Sequence, residues 1–279
     1  IRKRAGEAGL RVSEYVRQAV ENGAAVIVAE HPVELGVADG VPQVLVASGR
    51  RAWARMCANW FGNPAERLRM IGVTGTNGKT TTTYLLKSIL EANGEKVGLI
   101  GTIQNMIGER VLASGHTTPD PYDLQSMLSL MVAEGCGYAV MEVSSQAYKV
   151  DRVYGLTFDV AAFLNISPDH ISPIEHPTFE DYLYCKRQII VNAKSLVLGA
   201  DSLHADLLRE DAEAAGIGVT TFALHDADNA GTSADVVAWP ADPAHASFHI
   251  ADGDQALGDY HLSIDGDFNY LNAAAAIAI

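Results

Sequence analysis

A glycine-rich loop between a short apolar strand and a helix constrains this chain more than any other stretch. The loop reads Gly75-Thr76-Asn77-Gly78-Lys79-Thr80-Thr81 and follows the apolar residues 70–73. In such a loop the N–H groups and the N-terminus of the next helix point at one small volume, and both favour negative charge. We therefore predict a phosphate site in which Lys79 reaches the terminal phosphates and the Thr80 hydroxyl binds magnesium.

A tight strand–helix turn that binds nothing is the alternative for this loop. Val73 stands five residues before Gly78, where the common phosphate-loop pattern has a glycine. The run Gly-Lys-Thr-Thr at the start of a helix nevertheless favours a nucleotide site over a bare turn.

Strands and helices alternate from residue 70 onwards, which predicts an α/β fold with a mostly parallel sheet covered on both faces. We expect strands at 70–73, 96–100, 138–143, 160–164 and 196–198, helices at 79–92, 121–134, 178–193 and 203–215, and a hairpin over 103–112. Strands at 234–239, 246–250 and 260–264 are predicted to form a smaller antiparallel sheet. Apolar spacing in the first of these helices predicts a buried face of Tyr84, Leu85, Ile89 and Leu90.

Composition excludes several classes of function. The formal charge of −14 over 279 residues argues against sequence-independent binding to nucleic acid. No apolar run approaches the roughly 20 residues of a membrane span, and no secretory signal is visible. Cys57, Cys136 and Cys185 are scattered and form no metal-type pair, so they read as reduced thiols. We therefore expect a cytoplasmic protein without membrane insertion and without a nucleic-acid partner.

Polar side chains follow two predicted strands of the parallel sheet. Glu142 stands at the carboxyl end of strand 138–143, and His170 follows strand 160–164. Ligands bind outside the carboxyl ends of strands in open α/β sheets. Glu142 can therefore share a magnesium ion with Thr80, and His170 can bind a metal or a phosphate. The alternatives are an acid that faces water and a structural histidine.

Lys186 lies in the apolar stripe of the helix predicted over 178–193, four residues after Tyr182 and four before Ile190. A lysine there must extend its ammonium to water, pair it, or lose its charge. Burial lowers a lysine pKa and so raises the share of reactive neutral amine. The alternative is a stem packed on apolar neighbours with its head in water.

Taken together, these residues resemble the Mur ligase family, whose members join amino acids to the growing cell-wall peptide. The matching stretches recur in family order and are Gly75-Thr76-Asn77-Gly78-Lys79-Thr80-Thr81, Thr117-Thr118-Pro119, Glu142-Val143-Ser144-Ser145, Asn165 with Asp169-His170, Lys186, and Phe268-Asn269-Tyr270-Leu271-Asn272. This set is far more specific than any one motif. Within the family, the chain is similar to the branch that adds the third residue of the peptide.

The resemblance implies a role for each matching residue. The loop 75–81 would bind ATP, with Asn269 and Asn272 near the nucleotide. Thr80 and Glu142 would hold one Mg²⁺ ion, and His170 with a carbamylated Lys186 would support a second. The implied catalytic groups are Lys79, Lys186 and His170.

The implied contacts to the substrate are Thr117, Thr118, Ser145, Gln146 and Arg152. The implied reaction is ATP-dependent amide-bond ligation in peptidoglycan precursor synthesis. It adds the third amino acid to UDP-MurNAc-L-Ala-D-Glu through an acyl phosphate. The partners would be this UDP-MurNAc-dipeptide and an amino acid, and we expect a monomer. A nucleophilic serine is not expected, because the sequence has no Gly-x-Ser-x-Gly elbow.

The domains follow from the same resemblance. Residues 1–69 resemble a clipped N-terminal domain that binds the UDP part of the substrate, and residues 70–279 resemble the central ATP-binding domain. The family's third domain, which binds the amino acid, has no counterpart here, and Ile1 stands where a starting Met is usual. We therefore expect the 279-residue chain alone to be inactive or weakly active.

Two departures from the family concern the incoming amino acid. Many relatives have histidine where Gln146 stands and aspartate where Ser172 stands. The stretches 145–148 and 169–173 are more similar to the lysine-adding branch, which favours L-lysine.

Two alternatives to this function are a folylpolyglutamate synthetase-like ligase and a non-catalytic ATP-binding module. The stretches Thr117-Thr118-Pro119 and Glu142-Val143-Ser144-Ser145 argue against the first. Lys186 on an apolar helix face argues against the second, because a site that only senses nucleotide has no use for it.

Overall fold

The computed structural model describes residues 12–33, 40–169, 171–225, 234–242, 247–253, 255–264, 266 and 268–279. The chain forms two compact units, Ile1–Met56 and Cys57–Ile279. The first unit contains helix α1 (Val12–Glu21) and two parallel strands, β1 (Ile27–Ala29) and β2 (Gln43–Leu45). It ends within helix α2 (Gly49–Trp60), before the boundary predicted at residue 69.

The second unit begins with the end of α2 and a 3-10 turn at Pro64–Arg67. Its further elements are β3 (Arg69–Thr74), α3 (Lys79–Ala92), β4 (Val97–Ile100), β5 (Asn105–Ile107), β6 (Arg110–Leu112), α4 (Pro121–Ala133), β7 (Tyr138–Glu142), α5 (Ser145–Lys149), β8 (Val160–Phe163), α6 (Phe179–Val191), β9 (Ser195–Gly199), α7 (Ala205–Ala215), β10 (Gly218–Leu224), β11 (Val236–Asp242), β12 (Ser247–Asp252), β13 (Gln255–His261) and α8 (Phe268–Ala278). This alternation confirms the predicted α/β class.

The strands described in the second unit form one sheet in the order β13-β12-β11-β10-β9-β8-β3-β7-β4-β5-β6. The strands from β11 to β4 are parallel to their neighbours. Antiparallel pairs extend the same sheet at both ends, with β12 and β13 on one side and β5 and β6 on the other. Strand β3 lies at the centre, between β8 and β7, so the loop that follows it opens in the middle of the carboxyl edge.

Helices cover both faces of the sheet. Residues of α4, α6 and α7 pack on one face in a large apolar cluster that includes Leu128, Ile190 and Leu208. Residues of α3 and α8 pack on the other face, where Leu86 and Ala274 are buried. These two apolar layers stabilise the sheet, and the sheet in turn positions the polar loops at its carboxyl edge.

The buried face predicted for α3 is partly wrong. Ile89 is 44% exposed, whereas Leu86 is 3% exposed. The helix turns two threonines, Thr82 and Thr83, inward, and both are fully buried. Threonine methyl groups can fill a core, so apolar periodicity alone misplaced the face by part of a turn.

The region after α7 also differs from the prediction. Strand β10 was not predicted, because its threonines interrupt the apolar run that marks a buried strand. The strand expected at 260–264 lies earlier, at Gln255–His261, and all its residues are exposed. An edge strand of this kind carries no alternation of buried and exposed residues from which its position could be read. No helix among the described residues is long and apolar enough to cross a membrane.

Candidate active site

The loop between β3 and α3 has a backbone that only glycine adopts without strain. Gly78 is the N-cap of α3 and has φ of +87°. A Cβ atom at Gly78 would also lie 2.3 Å from Asn272 Oδ1. The side chain of Asn272, on α8, therefore lies directly against the loop, while its Nδ2 donates to Asn269 Oδ1 at 3.1 Å. Asn272 thus lies beside the loop and Asn269 lies next to Asn272, and their contact with a nucleotide stays a prediction.

Asn165, just after β8, fixes the shape of the loop through its backbone and side chain. Its Oδ1 accepts from the N–H of Asn77 at 3.0 Å, and its Nδ2 donates to the carbonyl of Asn77 at 3.1 Å. Its carbonyl accepts from the N–H of Thr76 at 3.0 Å. The sequence marked Asn165 only as the start of a motif, and this bracing role emerges from the fold.

The loop forms one wall of a cavity of about 270 Å³ at the carboxyl edge of the sheet. The lining residues are Thr76, Asn77, Gly78, Lys79, Thr80, Thr81, Thr102, Thr117 and Glu142. Every lining residue except Gly78 has a polar side chain. Residues 78–81 are the first residues of α3 and its N-cap, so the N-terminus of this helix faces the same space. Such a cavity suits a phosphate chain, because helix N-termini and loop N–H groups favour anions.

Glu142 is the acid at the floor of this cavity and is 1% exposed. Its Oε1 accepts from the Thr80 hydroxyl at 2.9 Å and from the N–H of Thr102 at 3.0 Å, and its Oε2 accepts from the Thr102 hydroxyl at 2.9 Å. Gly101 leaves room for the carboxylate, because a Cβ there would lie 2.6 Å from Oε1. Sequence reasoning missed Thr102. It lies two residues after the end of β4, which is parallel to β7, so its position at the same edge as Glu142 could have been predicted.

The donor set around Glu142 fits a magnesium ion. A hydroxyl and a carboxylate are hard oxygen ligands, and the adjacent cavity has space for water and phosphate oxygens. Thr80 and Glu142, which the sequence paired, are in direct contact. The Thr80 hydroxyl donates to the acid that would neighbour it on the metal.

The two lysines of the site converge on one carbonyl of the loop. Lys79 Nζ donates to Gly75 O at 2.8 Å and to Thr76 O at 3.0 Å. Lys186 Nζ donates to Gly75 O at 2.7 Å. Burial lowers the pKa of the Lys79 ammonium, and the charges of Glu142 and Asp169 oppose that shift. A phosphate group would offer Lys79 stronger acceptors than these neutral carbonyls.

Lys186 is buried, as the apolar stripe of α6 predicts, and its exposed fraction is 2%. Its Nζ lies 4.9 Å from the centre of the Tyr182 ring. Burial lowers its pKa well below the ordinary value, and the nearby positive charge of Lys79 lowers it further. The alternative of an ammonium extended into water is therefore wrong. His170, its predicted companion, lies outside the described residues.

Thr117 and Thr118 are predicted substrate contacts, and Thr117 lines the cavity. The Thr117 hydroxyl lies 3.0 Å from the hydroxyl of Thr102. The Thr118 hydroxyl donates to the Glu142 carbonyl at 2.9 Å and accepts from the N–H of Ser144 at 3.0 Å. The N-cap of α4 is Asp120, two residues after Thr118.

Arg152 and Ser145 are two further predicted substrate contacts. Arg152 Nη1 donates to the Thr118 carbonyl at 3.0 Å, and its Nε lies 2.8 Å from Asp120 Oδ1. Ser145 begins α5, and its hydroxyl lies 2.8 Å from Nε2 of His176, a residue that sequence reasoning missed. Gln146 follows Ser145, and its buried Nε2 has no partner within the described part of the chain.

Comparison with known proteins gives a family match over most of the chain. A family model described as "Mur ligase middle domain" matches residues 73–279. A UDP-N-acetylmuramyl-tripeptide synthetase of Bifidobacterium longum is 68% identical over 269 residues, which cover 96% of this chain and 52% of that relative.

Two further relatives differ in the amino acid that their names state. A UDP-N-acetylmuramoyl-L-alanyl-D-glutamate–L-lysine ligase of Enterococcus faecalis is 40% identical over 277 residues, 97% of this chain and 53% of the relative. A 2,6-diaminopimelate ligase of the same type from Caldanaerobacter subterraneus is 39% identical over 268 residues, 95% of this chain and 53% of the relative. The chain thus spans about half the length of the curated relatives it matches.

Solved structures show the same fold. A UDP-N-acetylmuramoyl-L-alanyl-D-glutamate–2,6-diaminopimelate ligase superposes with a TM-score of 0.80 at 27% identity, over 95% of this chain and 53% of that one. A folylpolyglutamate synthetase of L. casei superposes with a TM-score of 0.68 at 21% identity, over 84% and 62% of the two chains. The second likeness shows a shared fold alone.

Proposed function

The chain belongs to the Mur ligase family, and we propose that it forms an amide bond on a UDP-MurNAc-dipeptide at the expense of ATP. The observation that carries this proposal is the buried Glu142 carboxylate, held by Thr80 and Thr102 on the floor of the phosphate cavity. A carboxylate in that position suits a metal that neutralises a triphosphate. Lys79, which lines the same cavity, supplies positive charge.

The chemistry follows from these positions. The loop amides and Lys79 bind the phosphates of ATP and draw charge from the γ-phosphate as it is transferred. A carboxylate oxygen of the UDP-MurNAc-dipeptide attacks the γ-phosphorus, the bond to the β-phosphate oxygen breaks, and ADP leaves. The amine of the incoming amino acid then attacks the acyl phosphate, and inorganic phosphate leaves with that carboxylate oxygen.

Each predicted residue has a part in this scheme. Magnesium, held by Thr80 and Glu142, supplies charge neutralisation when bound. Lys186 in its carbamylated form, together with His170, would supply ligands for a second ion. Asn269 and Asn272 face the nucleotide side of the loop. Contacts to the UDP-MurNAc-dipeptide come from Thr117, Thr118, Ser145, Gln146 and Arg152.

We propose L-lysine as the incoming amino acid, on the basis of Gln146 and Ser172 and their neighbours. Relatives named for L-lysine and for 2,6-diaminopimelate are 40% and 39% identical to this chain, so overall similarity does not separate them. We also propose that residues 1–69 bind the UDP part of the substrate and 70–279 bind ATP. A cytoplasmic monomer completes the proposal and is supported by the family alone.

Glu142→Gln is expected to weaken binding of Mg-ATP by at least about tenfold. Even mutations of residues that only hydrogen-bond to a metal ligand lower metal affinity by about 10–100-fold. Calorimetric titration of wild type and variant with Mg-ATP, UDP-MurNAc-dipeptide and folate tests both the site and the function. Wild type should bind the first two ligands and not folate, and the variant should keep its affinity for the sugar peptide.

Glu134→Gln is a matched control, because Glu134 is a half-exposed acid paired with Lys96. Its Mg-ATP affinity should equal that of wild type. Equal Mg-ATP affinity of Glu142→Gln and wild type would remove Glu142 from the site. Folate binding in place of the sugar peptide would favour the folylpolyglutamate synthetase alternative.

A further inference from the structure

A buried hydrogen-bonded chain lies behind Ser145 and involves residues without an assigned role. The His176 ring is fully buried. Its Nε2 lies 2.8 Å from Ser145 Oγ, and its Nδ1 lies 2.6 Å from Asp181 Oδ2. Asp181 also accepts from Lys149 Nζ at 2.7 Å. Ser145, on α5, is thereby connected through one imidazole to α6, the helix that carries Lys186.

The position of the His176 ring is fixed from several sides. Its carbonyl accepts from the N–H of Ser172 at 2.8 Å. The ring packs edge-on against Tyr182, with 5.2 Å between the ring centres, and the Tyr182 hydroxyl lies 3.1 Å from Thr76 Oγ1 of the phosphate loop. A ring held in this way cannot turn to offer its nitrogens elsewhere.

The partners also fix the direction of each hydrogen bond. The hydrogen bond from Lys149 holds the pKa of the Asp181 carboxyl below its usual range, so Asp181 is ionised at neutral pH and can only accept. His176 Nδ1 must therefore carry the proton. In the neutral ring Nε2 is then an acceptor, so the Ser145 hydroxyl donates its one proton to it. Ser145 Oγ is left with lone pairs for any further partner.

His176, Asp181 and Cys185 lie close enough together to suggest a cation site, but they do not form one. The Lys149 ammonium, however, binds the carboxylate, and Lys149 also donates to the Glu175 carbonyl at 2.6 Å. A positive charge already occupies the place that a metal would need. The cluster serves to orient Ser145.

We propose that His176, held by Asp181, is a positioning residue that makes Ser145 Oγ a fixed acceptor for an N–H or O–H group of the UDP-MurNAc-dipeptide. This inference rests on the proposed function, in which Ser145 contacts that substrate. Ser145 is nearly buried, with 5% of its surface exposed, and its hydroxyl proton points inward to His176. An acceptor oriented before binding discriminates against ligands that lack the donor.

A double-mutant cycle tests the proposal, with the affinity for UDP-MurNAc-dipeptide measured by calorimetry. The proteins are wild type, Ser145→Ala, His176→Asn and the double variant. Asparagine can keep a donor near Asp181 but does not reach Ser145. Each single variant should lose about 5- to 30-fold in affinity, the range expected for one hydrogen bond. The double variant should lose no more than Ser145→Ala alone, because His176 acts only through that hydroxyl.

Losses that multiply in the double variant would overturn the proposal, since they would show that His176 acts independently of Ser145. Wild-type affinity in His176→Asn would overturn it too. Mg-ATP affinity should stay unchanged in all four proteins and reports that the fold is intact. A wild type that binds Mg-ATP but no sugar peptide would refute the proposed function, and the role of Ser145 with it.

Nitrogen NMR of the wild type gives a test that needs no variant to fold. The protein is labelled with ¹⁵N histidine, and the His176 signals are assigned by their loss in His176→Gln. We expect a proton on Nδ1 and none on Nε2. A proton on Nε2, with or without one on Nδ1, would contradict the direction of the hydrogen bond to Ser145 and overturn the proposal.

Discussion

Lys186→Ala, made in a full-length enzyme that includes the family's third domain, is expected to lower the rate of amide-bond formation by roughly 10²–10³-fold or more, the effect of removing one group that stabilises charge in a transition state. The lysine is 2% exposed and shares its carbonyl acceptor with Lys79. Burial and that second lysine lower its pKa, so the neutral amine is available. Its nitrogen can add to carbon dioxide and release a proton, which leaves a carbamate whose oxygens suit magnesium.

Formate or acetate should restore part of the activity of Lys186→Ala, because a small carboxylate can occupy the space that the carbamate leaves. Ligation rates with and without the added acid measure this rescue. Lys194→Ala is the matched control, since Lys194 is 68% exposed and paired with Asp159 at the other edge of the sheet. A normal rate in Lys186→Ala, together with a crystal structure that shows an unmodified amine at neutral pH, would contradict the carbamate.

Lys79→Met is expected to lower kcat/KM for ATP by about 10³-fold, since Lys79 is the residue of the loop that carries a full positive charge to the phosphates. Lys79 Nζ now binds two neutral carbonyls, and a phosphate would replace them with charged acceptors. Steady-state release of phosphate measures the loss.

Lys87→Met is the control for Lys79→Met, because Lys87 lies on the same helix but pairs with Glu91 away from the cavity. It should keep wild-type kcat/KM for ATP. A Lys79→Met enzyme within about threefold of wild type would show that the loop amides suffice, and the assignment of Lys79 would fail.

Local patterns predicted the elements that carry their own signals. Helix α3 was placed at its observed bounds, and the helix predicted from residue 178 is capped by Thr178, whose hydroxyl accepts from the N–H of Asp181. The burial of Lys186 followed from its spacing on one helix. Glu142 and Thr80 were paired because parallel strands bring their carboxyl ends to one edge. The first three predictions each follow from one short stretch, and the last follows from the general geometry of parallel sheets.

The contacts that escaped prediction join residues far apart in the chain. Ser145 and His176 are separated by 31 positions, and no local pattern says that an imidazole will meet that hydroxyl. Thr102 meets Glu142 only because β4 and β7 are neighbours in the sheet. Ile89 was misplaced because buried threonines do not register in an apolar pattern. Such features depend on how the elements pack, which a single sequence specifies only indirectly.

Transfer of oxygen from the substrate to phosphate is the most direct test of the proposed reaction. UDP-MurNAc-dipeptide labelled with oxygen-18 in its terminal carboxylate is incubated with a full-length enzyme that includes the family's third domain, Mg-ATP and L-lysine, and the released phosphate is analysed by mass spectrometry. A parallel reaction contains 2,6-diaminopimelate instead. The acyl phosphate route predicts that each phosphate carries one labelled oxygen from the carboxylate. Unlabelled phosphate, released while the dipeptide keeps both labelled oxygens, would contradict the proposed function.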